Sequence, residues 1–128
     1  MVPEKPPTTP VPVLTGCEAV ASEINKFGDW DPAIMLAIAK AENSTCDPLK
    51  HNLTASETHR NGKGEVICVG SYGVIQVGCL HYREGENRDD LATNVAVAHR
   101  VYTARKSWDT SGYNAWTMFT NGRYKQNL

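Results

Sequence analysis

Residues 31–43 read DPAIMLAIAKAEN, and the reading of that stretch decides the fold. Asp31 can accept hydrogen bonds from the free backbone N–H groups of a helix start. Pro32 follows at the first helical position, where its missing N–H costs nothing. Ile34, Met35, Ile38 and, one turn on, Glu42 recur at three- and four-residue steps and share one helix face. Glu42 thus continues an apolar stripe and stands at the C-terminal, negative end of the helix dipole. Both placements disfavour the carboxylate and predict a raised pKa, which a general acid needs near neutral pH. Position alone fits an exposed glutamate at a fraying helix end equally well.

Upstream, Cys17, Val20, Ala21, Ile24 and Phe27 mark an amphipathic helix, with Gly28 as its expected left-handed C-cap. Before it, residues 1–15 hold Pro3, Pro6, Pro7, Pro10 and Pro12 and have little to bury. They read as an extended tail or a linker to something upstream, or else as a cloning remnant. Downstream, residues 43–64 are polar and read as loop, with a strong turn signal at Asn61-Gly62. The glycosylation sequons at Asn43 and Asn52 are short patterns that arise often by chance. Residues 65–69 form a β-type run, and Ser71-Tyr72-Gly73 turns the chain into Val74-Ile75-Gln76-Val77, giving a small hairpin. Asp89 or Asp90 caps the longest helix, over residues 91–106. Leu91, Val95, Ala98 and Tyr102 lie along one face of it, with Val101 and Arg105 beside them. A short helix over residues 113–119 follows. The expected fold class is mainly α with a small β-element (α+β), in one domain over residues 16–128.

The 128 residues are 41% hydrophobic and 21% charged, which suits one domain with a real core. A net charge of -1 offers no general attraction to nucleic acid or an anionic membrane, so neither is an expected partner. No apolar run approaches the ~18–20 residues of a membrane span. Prolines crowd the place where a signal peptide would need its apolar core, so no export signal is expected in this chain. Cys17, Cys46, Cys68 and Cys79 form no C-x-x-C pair; four cysteines in a small domain point to two disulfides and an oxidising compartment. The preferred pairing is Cys46–Cys68 with Cys17–Cys79. The first would tie the loop after the Glu42 helix to the β-element, and the second the first helix to the chain after Gln76.

The chemistry narrows by elimination. His51, His59, His81 and His99 are scattered without metal-ligand spacing, so no metal is expected. An oxidised cysteine cannot act as nucleophile, and no Gly-rich phosphate loop precedes a helix. Trp108, Tyr113, Trp116, Phe119 and Tyr124 cluster late in the chain. Beside a carboxylic acid they suit a sugar-binding groove, although core packing accounts for most such residues.

The residues then carry a resemblance. Ala37-Ile38-Ala39-Lys40-Ala41-Glu42-Asn43 resembles the helix of lytic transglycosylases of the SLT, goose-lysozyme-like superfamily, which ends in a catalytic Glu commonly followed by Ser. Ser71-Tyr72-Gly73-Val74-Ile75-Gln76 is similar to their S-x-G-[LIV]-[MF]-Q segment. Residues 116–124, WTMFTNGRY, resemble their closing W-x-x-Y-x-x-G-x-Y, with Phe119 where Tyr is usual. The resemblance implies a lysozyme-like domain acting outside the cytoplasm on peptidoglycan glycan strands, without cofactor and as a monomer. Glu42 would be the catalytic acid. Ser71, Gly73, Ile75, Gln76, Tyr113, Trp116 and Phe119 would bind substrate. The reaction implied is cleavage between N-acetylmuramic acid and N-acetylglucosamine to leave 1,6-anhydro ends. The alternatives are a hydrolysing lysozyme, with Asp47, Glu57 or Glu65 as a second acid, and a non-catalytic glycan-binding domain.

Overall fold

A computed structural model describes residues 14–128. Apart from Leu14 and Thr15, the expected proline-rich tail lies outside the described residues. Among the described residues the fold is mixed α+β, with four α-helices and two small antiparallel sheets.

Helix α1 (Gly16–Ile24) ends one turn earlier than the periodicity predicts. The Asn25 side-chain amide donates to the Ala21 carbonyl at 2.8 Å, and the Trp30 indole N–H takes the Ile24 carbonyl at 2.9 Å. The backbone N–H groups of Asn25, Lys26 and Phe27 also take the carbonyls of Ala21, Glu23 and Ile24, so the helix closes without a left-handed cap and Gly28 does not adopt a positive φ.

Helix α2 (Pro32–Glu42) starts as expected: Asp31 Oδ1 accepts from the Ala33 N–H at 2.9 Å, with Pro32 at the first turn. Met35, Ala37, Ile38 and Ala39 are buried, which makes α2 the central helix. The C-terminal part of the chain fastens it twice. The Asp31 N–H donates to the Tyr113 hydroxyl at 2.6 Å, and the Asn127 amide to the Ala37 carbonyl at 3.3 Å.

Helix α3 (Leu91–Lys106) is capped by Asp90, whose Oδ2 accepts from the Thr93 N–H at 3.0 Å. Its buried face holds Val95, Val97, Ala98 and Tyr102, but also Asn94, a polar residue that periodicity does not single out. The expected terminal helix is broken in two: a 3-10 turn (Gly112–Ala115) precedes α4 (Thr117–Thr120), and a second 3-10 turn (Arg123–Asn127) packs on α2.

The β-structure corrects the sequence reading. Residues 43–64, expected to be loop, contribute strands β1 (His51–Asn52) and β2 (Thr58–Arg60). Strand β3 (Val66–Val69) pairs backward with β2 through the Asn61-Gly62 turn, not forward with the strands that follow it. Asn61 fixes that reversal: its Oδ1 accepts from the N–H groups of Lys63 (2.9 Å) and Glu65 (3.0 Å). The second sheet runs β1-β4-β5, with β4 (Ser71–Tyr72) opposite both His51–Asn52 and β5 (Val77–Gly78).

The disulfides are Cys17–Cys46 and Cys68–Cys79, with Cα separations of 5.1 and 6.1 Å, and not the expected pairing. Packing explains the difference. Helix α1 lies against α2, and the chain leaving α2 turns back at Cys46, whose φ is 54°. That return places Cys46 beside the first turn of α1. The β4–β5 hairpin likewise brings Cys79 home to β3, its N–H donating to the Gly70 carbonyl at 2.8 Å.

Candidate active site

A groove of about 380 Å³ opens between the C-terminal end of α2 and the β-structure. Glu42, the last residue of α2, lines it. Asn52, Glu57, His59, Ser71, Gln76, Gly78 and His81 line it from the β side, and Ala115, Trp116, Thr117 and Met118 form the facing wall. The sheets therefore matter to the site: β1, β2 and β4 each bring one of these side chains to it.

Glu42 is half-buried, and burial pushes its pKa up to about 7. The Lys50 ammonium opposes this shift and the Glu57 carboxylate reinforces it. Among the described residues no side chain or N–H group hydrogen-bonds the Glu42 carboxyl oxygens. Lys50 instead donates to the Glu42 main-chain carbonyl at 2.7 Å, the position in which a cation best complements a helix C-terminus.

The turn over residues 73–76 is held rigidly. Asn94 does most of this from α3. Its Oδ1 accepts from the Ile75 N–H at 3.2 Å, and its Nδ2 donates to the Tyr72 carbonyl at 3.0 Å and the Tyr82 hydroxyl at 2.7 Å. Gly73, at φ 81°, lies so close that a Cβ there would stand 2.4 Å from the Asn94 side chain. Gln76 adopts φ 51°, a left-handed conformation few non-glycine residues take, and its amide N–H₂ donates to the carbonyls of Gly73 (2.7 Å) and Lys50 (3.2 Å). Both donors are thus engaged within the protein, and the Gln76 amide oxygen is left for the groove.

Of the residues expected to bind substrate, Ser71, Gln76 and Trp116 line the groove and Gly73, Ile75, Tyr113 and Phe119 do not. Ile75 is fully buried, and Gly73 serves the close approach to Asn94. The Tyr113 hydroxyl accepts from the Asp31 N–H, and Phe119 packs between Tyr113 and Tyr124 at centroid distances of 5.3 and 4.8 Å. Even Trp116 is 4% exposed, with its indole N–H donating to the Ile75 carbonyl at 3.0 Å.

Glu57 is the second carboxylate of the groove. The Ser71 hydroxyl donates to its Oε2 at 2.5 Å, and its backbone carbonyl accepts from the Gly70 N–H at 2.9 Å. Asp47 and Glu65 are not among the lining residues. His59 and His81 flank Gly78, whose missing Cβ leaves room for both rings. Burial pushes the His81 pKa down, with the nearby His59 and Arg100 acting in the same direction. Sequence reading missed both histidines as groove residues. The only advance signal was their nearness to the β-element, which does not say which way a ring points. Among the described residues no group of three or more His, Cys, Asp or Glu side chains is placed to hold a metal ion.

No protein-family model matches the chain, and neither a curated protein nor a solved structure does. The groove brings together a carboxyl group whose pKa burial raises to about 7, a second carboxylate that accepts from a serine hydroxyl, and an amide with an unengaged acceptor oxygen.

Proposed function

We propose that the chain is a peptidoglycan lytic transglycosylase with a lysozyme-like domain, and that Glu42 is its general acid and then its base. The observation that carries this reading is the half-buried Glu42 at the end of α2, facing a groove and titrating at about 7. The order and spacing of Glu42, the Ser71–Gln76 segment and the closing aromatic segment support it. Protonated Glu42 gives its proton to the oxygen joining N-acetylmuramic acid to N-acetylglucosamine. The substrate's own acetamido oxygen supports the anomeric carbon as that bond breaks. Ionised Glu42 then accepts the proton of the C6 hydroxyl, which attacks the anomeric carbon and closes a 1,6-anhydro ring. One residue acting first as acid and then as base follows from microscopic reversibility. The free Gln76 amide oxygen is suited to accept from a sugar hydroxyl. Two disulfides support an extracytoplasmic location.

Glu57 favours a second reading, hydrolysis. A carboxylate in the same groove can act as base for a water molecule, which a transglycosylase does not need. Mass spectrometry of muropeptides released from purified peptidoglycan distinguishes the two. Anhydro ends, retained by Glu57→Gln and lost in Glu42→Gln, are the expected result. Reducing ends that vanish in Glu57→Gln give the hydrolase. No released product from the folded wild type leaves a glycan-binding domain.

A further inference from the structure

A second groove, of about 440 Å³, runs on from the first, and His81 and Ala115 line both. Its composition is different. No carboxylate lines it; Arg83, Arg100 and Arg105 do, with Trp108, Val101 and Ala104 between them. Arg100 is committed to the protein, bonded to both Glu86 oxygens (2.9 and 2.7 Å) and to the His81 carbonyl (2.5 Å). Arg105 spends one bond on Asp109 (Nε to Oδ2, 2.8 Å), and its guanidinium carbon stands 4.4 Å from the centre of the Trp108 ring. Arg83 has no side-chain partner among the described residues. Glu86 and Asp109 are thus the carboxylates bonded to these guanidinium groups, in a groove whose Trp108 indole is 70% exposed. A groove that combines an exposed indole beneath the Arg105 guanidinium with the Arg83 side chain, which holds no hydrogen-bonded partner among the described residues, suits a small anionic ligand with apolar groups.

We propose that this second groove receives the short peptide borne on the muramoyl sugar of the strand whose backbone lies in the first. The inference rests on the glycan-cleaving reading of the first groove. The lactyl-linked peptide branches sideways from the glycan, so its site must adjoin the glycan groove without lying along it, as this one does at His81 and Ala115. Its free carboxylates match Arg83 and the unengaged nitrogens of Arg105. Its alanine methyl groups match Trp108, Val101 and Ala104.

The test compares cleavage of intact glycan strands with strands stripped of peptide by an amidase, and separately titrates free stem peptide against the Trp108 indole resonance. Arg83→Ala and Trp108→Ala alter exposed side chains and are expected to fold. Wild type should favour peptide-bearing strands by roughly three- to ten-fold in kcat/KM, the value of one or two exposed contacts. Each variant should reduce that preference and leave stripped strands unaffected, and free peptide should shift the indole resonance in wild type but not in Arg83→Ala. Equal rates on both substrates in wild type, or a variant that slows both alike, would overturn the proposal. If wild type cuts neither substrate, the glycan-cleaving reading fails by itself. The titration then still decides this site: a peptide-induced indole shift lost in Arg83→Ala sustains it, and no shift ends it.

Discussion

The Lys50 ammonium donates to the main-chain carbonyl of Glu42 at 2.7 Å, on the residue whose side chain titrates in the groove. The Lys50 carbonyl in turn accepts from the Gly73 N–H at 2.9 Å and from the Gln76 amide at 3.2 Å. A single residue thereby joins the end of α2 to the turn that lines the opposite side of the groove.

Replacing Lys50 by Met should act on both partners. Without the ammonium, the Glu42 carboxylate loses its opposing cation and its pKa rises further, so the alkaline limb of the pH–rate profile moves upward. Loss of the cation at the helix end should cost about 0.5–1 kcal/mol in a urea melt. An unmoved alkaline limb would mean that Lys50 does not influence the proposed acid.

Glu42 itself sets a pH dependence with a definite sign. Its folded pKa of about 7 lies above the ordinary 4.5, so between those values the folded chain holds a proton that the unfolded chain has released. Stability attributed to this group is therefore full below 4.5 and is lost as pH rises to 7; the full shift is worth ~3 kcal/mol, which solvent screening of this half-buried carboxyl reduces to about 2 kcal/mol. Glu42→Gln should flatten that slope, remain folded and lose turnover, while wild-type turnover falls above pH 7 as the acid ionises. Thermal melts across pH 4–8, compared with cell-wall clearance over the same range, check both statements.

Asn94 is expected to be the most sensitive polar residue of the core. Asn94→Ala leaves the Ile75 N–H, the Tyr72 carbonyl and the Tyr82 hydroxyl without that partner, and should cost ~2–4 kcal/mol. Gly73→Ala should also destabilise, because its Cβ would meet the Asn94 side chain and its φ is positive. The double variant should lose less than the sum, since Asn94→Ala removes the atoms in the way. Urea denaturation of the cycle tests this; strict additivity would contradict the close approach.

The helices that announce themselves chemically were legible. Asp31-Pro32 and Asp90 mark the starts of α2 and α3, and an apolar period of three to four carries each onward. Where a boundary depends on a tertiary donor, as with the Trp30 indole at the end of α1, local pattern fails. Strand β2 was hidden because Thr58, His59 and Arg60 show no apolar alternation; only pairing with β3 makes them a strand. Glu42 stood out by position, and Glu57 did not, since it reaches the groove only after that hairpin has folded. Asn94 had no signal at all: a polar residue on a helix gives no sign that three buried groups await it. Within the aromatic segment, Tyr113 and Trp116 spend their hydroxyl and indole N–H groups on holding α2 and the 73–76 turn, a tertiary use that residue type does not announce.

The disulfides separate stability from site geometry. Cys17–Cys46 spans 29 residues and Cys68–Cys79 spans 11. The loop-entropy relation gives ~3.5 and ~3 kcal/mol for them, respectively. Paired serine substitutions at Cys17 and Cys46 should therefore lower the melting temperature with modest effect on turnover. The same change at Cys68 and Cys79 should also impair turnover, because that bridge ties β3 to the segment carrying His81. Non-reducing peptide mapping should recover these two pairs and no others.

The fastening of α2 has a kinetic consequence. Its start is bonded to a hydroxyl 82 residues away and its middle to an amide 90 residues away. Bringing such distant partners together consumes chain entropy before any contact repays it, whereas the first turns of α2 and α3 are capped locally by Asp31 and Asp90. Pulse-labelled hydrogen exchange during refolding should accordingly find the Asp90-capped Thr93 N–H protected before the Asp31 N–H, which waits for Tyr113. The fastening of the helix that carries the proposed acid would then come late in assembly.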